Sequence, residues 1–441
     1  MSHYKPYPAY KDSGVEWLGR VPEHWQVVRM RYAATLNPPV RSDLLEDPDQ
    51  EVSFLPMEAI GEDGSLNLEQ NRPVADVRNG YSYFEDGDVA FAKVTPCFEN
   101  GKGALMQGLQ CAAGFGTTEL TVLRPNSAAA DASYINYIVQ SSSFRAFGAG
   151  AMTGAGGLKR VPDEFTRNFP VSLPGPGEQR VIASHLDRET ARIDALVEKK
   201  TRFIELLREK RQALITHAVT KGLDPNVKMK DSGVEWLGGG PEHWKLVPLK
   251  YVTPSLTVGI VVNPSDYVAD EGLPFLYGGD IGEGVIFAET ARRISPEHSQ
   301  RNAKTRLNAG DLVTVRVGAP GVTAVVPSEC EGGNCASVML IRRGAFESDW
   351  LCYVMNSRVV RYQVEVVQYG AAQEQFNISH AVNFLIPVPP FEEQAQIASA
   401  LNQEGRRVNA LLSKTERSVE LLKERRSALI TAAVTGQIDL R

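Results

Sequence analysis

At 441 residues, 43% hydrophobic and 23% charged, the chain has the make-up of a globular protein of two to four folded units, which excludes collagen, disordered tails and disulfide scaffolds. No apolar run reaches the roughly 18 residues of a membrane span, and MSHYKPYPAYKDSG lacks a signal peptide's apolar core; with five cysteines and no CxxC pair, this points to reduced thiols in a cytoplasm. The net charge of −6 argues mildly against a nucleic-acid partner but does not exclude one, because only the field over a binding face attracts phosphate.

The chain opens on KDSGVEWLGRVPEHW (11–25). Strand-like runs follow at VSFLPM (52–57), DVAFAKV (88–94) and ELTVLRP (119–125), separated by Gly- and Asp-rich turns. SYINYIVQSSSFRAF (133–147) has helical spacing and is expected to cover the sheet. Residues 178–218 contain no Gly or Pro, with Pro176 before and Gly222 after, so the pattern predicts one helix of about 40 residues, roughly 60 Å long. Ile182, Leu186, Ile193, Leu196, Phe203, Leu207 and Leu214 fit heptad a and d positions, with Glu189, Lys200 and Lys210 as misses.

Then the chain repeats itself. KDSGVEWLGGGPEHW (230–244) restates the opening segment at an offset of 219. LPFLYG (273–278), DLVTVRV (311–317) and SVMLIR (337–342) read as strands, and WLCYVMNSRVVRYQV (350–364) as their covering helix. EQAQIASAL (393–401) and LLKERRSALITAAVTGQID (421–439) return EQRVIASHL (178–186) and LLREKRQALITHAVTKGLD (206–224) at an offset of 215. Ile397, Leu401, Val408, Leu411, Leu422 and Leu429 occupy the matching heptad positions. The expected fold is mixed α/β (α+β): domain 1 at 1–175, a central helix at 176–222, domain 2 at 223–390 and a C-terminal helix at 391–441. The helices are expected to pair as an intramolecular antiparallel coiled coil about a pseudo-twofold axis.

Between the repeated ends, residues 26–174 and 245–390 share only traces, which suggests one scaffold carrying two different readers. Neither interior is basic: 12 Lys+Arg stand against 18 Asp+Glu in the first and 12 against 14 in the second, so any nucleic-acid face is a local patch. Alternation puts Val89, Phe91 and Lys93 on one strand face and Leu312, Thr314 and Arg316 on the corresponding one, so a cation closes each strand before a Pro- and Gly-containing loop. Arg bonds bidentately to guanine, and either cation holds phosphate. Lys102, Lys159, Arg160, Arg292 and Arg293 are further DNA-binding candidates, with Arg301, Lys304 and Arg306 beside them.

Catalytic patterns fail on inspection. NPPV (37–40) lacks the aromatic of an amino-methyltransferase tetrapeptide and reads as a turn. Glu198-Lys199-Lys200 lies in a helix rather than on a nuclease strand, and NGKG (100–103) is no phosphate loop. His24 and His243 recur within PEHW without metal-spaced partners and are expected to be structural.

The two KDSGVEWLG…PEHW segments, EQ-x-x-IA-x-x-L opening each long helix and LL-x-E-(K/R)-R-x-ALI-T-x-AVT closing it resemble the specificity subunits of type I DNA restriction-modification systems, over nearly the whole chain and in the family's order. The resemblance implies a non-catalytic subunit with two target-recognition domains, each reading one half of a split, asymmetric site in double-stranded DNA. The helices would act as a ruler between half-sites and dock two copies of a methyltransferase subunit that methylates a flipped adenine. S-adenosylmethionine, ATP and Mg would belong to partner subunits, the ATP to restriction/translocase subunits, with no cofactor, metal or membrane for this chain. A fused enzyme, or a tether recognising proteins, are the alternatives.

Overall fold

The structure is a computed structural model that describes residues 4–155, 157–370 and 377–441; the first three residues, part of the segment read for a leader, lie outside the described residues. The chain divides into two compact units, Met1–Thr201 with Arg417–Arg441, and Arg202–Glu416.

The first unit contains two four-stranded sheets. Its strands are β1 (Ala34–Leu36), β2 (Glu51–Leu55), β3 (Asn71–Pro73), β4 (Ser82–Glu85), β5 (Val89–Ala92), β6 (Gly103–Leu105), β7 (Ala113–Gly116) and β8 (Leu120–Pro125). One sheet has the antiparallel order β1-β8-β5-β6; the other has the order β3-β2-β7-β4, with β2 and β7 parallel. Helices α1 (Ala132–Gln140) and α2 (Ser142–Gly150) join the first sheet in one apolar core through Tyr134, Ile138 and Phe144.

The second unit repeats this plan with β9 (Leu256–Val258), β10 (Val268–Ala269), β11 (Leu273–Leu276), β12 (Arg292–Ile294), β13 (Leu312–Thr314), β14 (Thr323–Val325), β15 (Asn334–Cys335) and β16 (Met339–Ile341). The sheet β9-β16-β13-β14 has the same antiparallel order as its counterpart, and β11 and β15 pair in parallel as β2 and β7 do. The second sheet ends differently: β10 extends it beyond β12, in the order β10-β12-β11-β15. Trp350, Leu351 and Val354 of α4 (Ser348–Asn356) enter the core beneath the antiparallel sheet.

The shared Gly-Asp before β5 and β13 is a buried anchor. Gly87 and Gly310 take φ of +93° and +88°, open to glycine at little cost, and so end the preceding turn. Asp88, 1% exposed, holds Arg124 of β8 at 2.7 Å and accepts the Glu85 N–H at 2.8 Å. Asp311, also 1% exposed, holds Arg342 at 2.6 Å and accepts the Asn308 and Arg343 N–H groups at 3.0 and 2.9 Å. Removing one partner of a buried pair leaves the other uncompensated, at a cost of about 3–5 kcal/mol. Arg124 keeps Glu85 at 2.9 Å, whereas Arg342 keeps only the carbonyls of Arg306 and Lys304. In urea unfolding, Asp311→Ala is therefore expected to destabilise by about 3 kcal/mol and Asp88→Ala by roughly 2 kcal/mol. Equal losses would remove the role given to Glu85.

The long helices are α3 (Pro176–Lys221) and α5 (Phe391–Val434). Each contributes one part to each unit, and within each unit they run antiparallel. In the first, Asp194 meets Arg426 at 3.0 Å and Glu178 meets Arg441 at 3.8 Å; in the second, Arg208 meets Glu416 at 3.0 Å. Ile182, Leu186, Ile193 and Leu207 of α3, and Ile397, Leu401 and Val408 of α5, are buried, while Leu422 is half-buried. Leu196 and Leu411 are 40% and 46% exposed, which corrects the expected seam. The row Leu186, Ile193, Lys200, Leu207 holds, but its companion passes through Thr190, Val197 and Ile204, not through Glu189, Leu196 and Phe203. In α5, Leu412 likewise takes the inward place expected of Leu411. Both spacings satisfy a heptad, and adjacent apolar residues at 196–197 and 411–412 hide the choice.

Each repeated opening segment clamps the start of a long helix. Trp25 lies wholly buried, and its indole N–H donates to Glu178 at 3.2 Å while His24 meets the same carboxylate at 2.8 Å. Trp244 and His243 make the same contacts with Glu393 at 3.0 and 2.8 Å. The next residue, buried Gln179, accepts the Asp131 N–H at 2.8 Å and donates to the Ala129 and Pro174 carbonyls; Gln394 accepts the Glu347 N–H and donates to Pro389. Asp131 and Glu347 cap α1 and α4. The sequence motif PEHW…EQ is thus a polar lock between opening segment, covering helix and long helix.

Candidate nucleic-acid interface

At the end of β5 the chain pairs with a second loop. The Val161 N–H donates to the Lys93 carbonyl at 2.8 Å, and the Thr95 and Lys159 backbones bond through the Thr95 hydroxyl at 2.9 Å. Lys93, Lys159 and Arg160 therefore share one edge of the first domain. Arg160 is engaged there: it grips Glu119 at 2.6 Å, and this hydrogen bond holds the Glu119 carboxyl below its ordinary range. Lys102 is a structural cation, donating to the Met57 carbonyl at 3.0 Å.

In the second domain Arg316 follows β13 as Lys93 follows β5, and its guanidinium donates to Asn377 at 2.8 Å. Arg293 is half-buried on β12. Its neighbour Arg292 is exposed and lies 4.2 Å from the centre of the Tyr277 ring. Tyr277 opens a turn closed by its own N–H donating to Asp280 at 2.8 Å.

Sequence reasoning missed two features. The Arg72 guanidinium carbon lies over the Phe54 ring, 3.9 Å from its centre. Tyr32 and Tyr251 are 62% and 73% exposed, beside Arg31 and Lys250 at 5.2 and 5.4 Å. The second was visible as a cation–Tyr dipeptide recurring at an offset of 219.

The motifs set aside as catalytic have structural places. Asn37 takes φ of +48°, accepts the Val122 N–H at 3.0 Å and donates to Asp163 at 3.2 Å, so NPPV ties a turn to β8. Cys335 and Cys352 are buried, which pushes both thiols up to about 12. Among the described residues, no group of three His, Cys, Asp or Glu side chains could hold a metal ion, and no helix is long and apolar enough to cross a membrane.

Two sheet domains of one plan, each locked by the same residues to a long helix but carrying different loop cations, define a tandem scaffold with a repeated frame. No protein-family model matches the chain. It is 39% identical over 180 residues to the specificity subunits of the type I restriction enzymes EcoEI and EcoAI of Escherichia coli; the match covers 40% of this chain, which spans only 30% of the length of either relative. The putative type I restriction enzyme MjaX specificity subunit of Methanocaldococcus jannaschii is 21% identical over 446 residues, 96% of both chains. Among solved structures, one from work on complex assembly and conformational transition of the type I R-M system superposes with a TM-score of 0.69 at 22% identity, covering 94% of this chain and 98% of that one. The HsdS subunit from Thermoanaerobacter tengcongensis gives 0.52 at 21% identity, covering 95% and 98%. Over part of its length in sequence, and over nearly all of it in fold, the chain is similar to these proteins.

Proposed function

We propose that the chain is a non-catalytic subunit that reads a bipartite, asymmetric site in double-stranded DNA and directs adenine methylation and restriction by partner subunits. One observation carries the reading: the two units repeat the His–Trp–Glu lock and the antiparallel sheet, yet differ at the loops after β5 and β13. What is repeated suits one partner bound twice; what differs suits two different half-sites. Lys93, Lys159 and Arg160 are the cations of the first reader, and Arg292, Arg293 and Arg316 those of the second.

Exposed leucines support two equivalent docking surfaces for a methyltransferase subunit. Leu206 and Leu421 are 46% and 48% exposed at corresponding helix positions, as Leu196 and Leu411 are. S-adenosylmethionine would bind those methyltransferase copies, and ATP with Mg the restriction/translocase subunits. The acidic interiors leave much of the phosphate neutralisation to these partners.

The test is a base-modification map of the source genome with and without this gene. Loss of N6-methyladenine at one split motif is the expected result. An unchanged map in cells where such methylation is active would overturn the reading.

A further inference from the structure

We infer that Arg292 is a specificity-determining residue of the second domain and reads a guanine in its half-site; this rests on the DNA-reading function proposed above. Three observations converge on it. First, Arg292 is exposed and its guanidinium has no ion pair or hydrogen bond among the described residues, whereas Arg160, Arg316 and Arg342 are each held by a protein side chain. Second, its guanidinium carbon lies over the Tyr277 ring, 4.2 Å from the ring centre, and Tyr277 is itself braced edge-on by buried Phe275 at 5.0 Å. Stacking on a ring fixes the plane of the guanidinium while leaving its N–H edge free, which is the pre-organised form needed for a bidentate contact. Third, the surface beside it is cleared. Gly278 and Gly279 follow Tyr277, and a Cβ on Gly279 would meet nothing within 4 Å, so a bulky partner can approach the backbone there.

This turn also lies against the loop that carries Arg316. A Cβ on Gly278 would sit 3.4 Å from the Val315 side chain and 4.0 Å from the Val317 carbonyl. Asp280 holds the turn rigid: it accepts the Tyr277 N–H at 2.8 Å, and its carbonyl accepts the Phe287 N–H at 2.9 Å. A guanidinium lying over a ring that opens a hydrogen-bonded turn, with open space at Gly279, suits the paired N7 and O6 acceptors of guanine in a major groove. A phosphate contact would not need the plane to be fixed, since a flexible lysine serves as well.

The first domain supplies an internal contrast. Arg72 is stacked on Phe54 in a similar way, but the residues after Phe54 and Leu55 are Pro56, Met57 and Glu58 in place of Tyr277, Gly278 and Gly279. Side chains thus stand in the first domain where the second has two glycines.

The experiment selects sequences from a randomised duplex library with the complex purified through this chain, comparing wild type, Arg292→Lys and Arg292→Gln. The half-site belonging to the second domain is identified by the change that replacing residues 245–390 produces. The expected result is a G·C pair in that half-site whose preference falls by about 10-fold or more in both variants, with the other half-site unchanged. Lysine keeps the charge, so a uniform loss of affinity in Arg292→Gln rescued by lysine would mark a phosphate contact and overturn the inference. A wild-type second half-site without a G·C pair, or one unchanged in both variants, would overturn it and leave the DNA-reading function standing. A wild-type complex that selects no motif would overturn both.

Discussion

Under the proposed function, replacing residues 26–174 with the corresponding segment of a type I specificity subunit is expected to change one half of the recognised sequence completely and leave the other half untouched. The boundaries are set by the fold. Gln26–Arg29 and Pro170–Leu173 pair with each other in an antiparallel ribbon, so the segment leaves and rejoins the frame through neighbouring strands. The lock at its base is largely indifferent to what it holds: Gln179 grips the Asp131 N–H and the Ala129 carbonyl, backbone groups that any sequence supplies. His24, Trp25 and Glu178 lie outside the exchanged stretch. Some side-chain contacts must be matched, chiefly Tyr137 with Asp187 at 2.6 Å and Ser142 with Thr431 at 2.8 Å. A library selection or a methylation map reads the outcome. An unchanged motif, or a change in both halves at once, would sink the model of two independent readers.

How much of this was legible beforehand depended on what kind of constraint each residue obeys. The duplication, the long helices and the place of the opening segments were visible because repeated polar residues with buried partners cannot drift: Trp25 and Trp244 need Glu178 and Glu393, and the glutamines need their carbonyls. The seam register was not fixed by pattern, because Leu196–Val197 and Leu411–Leu412 offer an apolar residue to either reading, and packing makes the choice. In the aligned Gly-Asp strands the sequence draws the eye to the cation five residues on; nothing local shows that Asp88 and Asp311 meet arginines 36 and 31 residues later. The loop cations were the least legible. Whether a lysine or arginine is engaged inside the protein depends on loop closure, which sequence alone does not set. Lys102 is so engaged by the Met57 carbonyl and Arg160 by Glu119, whereas Arg292 is displayed on a ring.

Inserting one heptad into each long helix, after Thr201 and after Glu416, is expected to lengthen the non-specific spacer between half-sites by about three base pairs, at roughly 1.5 Å per helical residue and 3.4 Å per base pair. Both points coincide with the boundary between the two units, so no sheet domain or lock is cut. Seven residues are chosen because the buried row advances by alternating steps of four and three, from Leu186 through Thr190, Ile193 and Val197 to Lys200 and Ile204. A heptad restores that row on both sides of the insertion, whereas four residues would turn it by about 40° and move polar side chains into the seam. The four-residue variant is therefore expected to lose stability without a clean change of spacing, and comparing the two separates helix length from helix pairing. Half-site sequences should be the same in all variants, because the readers and their locks are untouched. A stable heptad variant that still selects the original spacer would show that the helices join the readers without measuring the distance between half-sites.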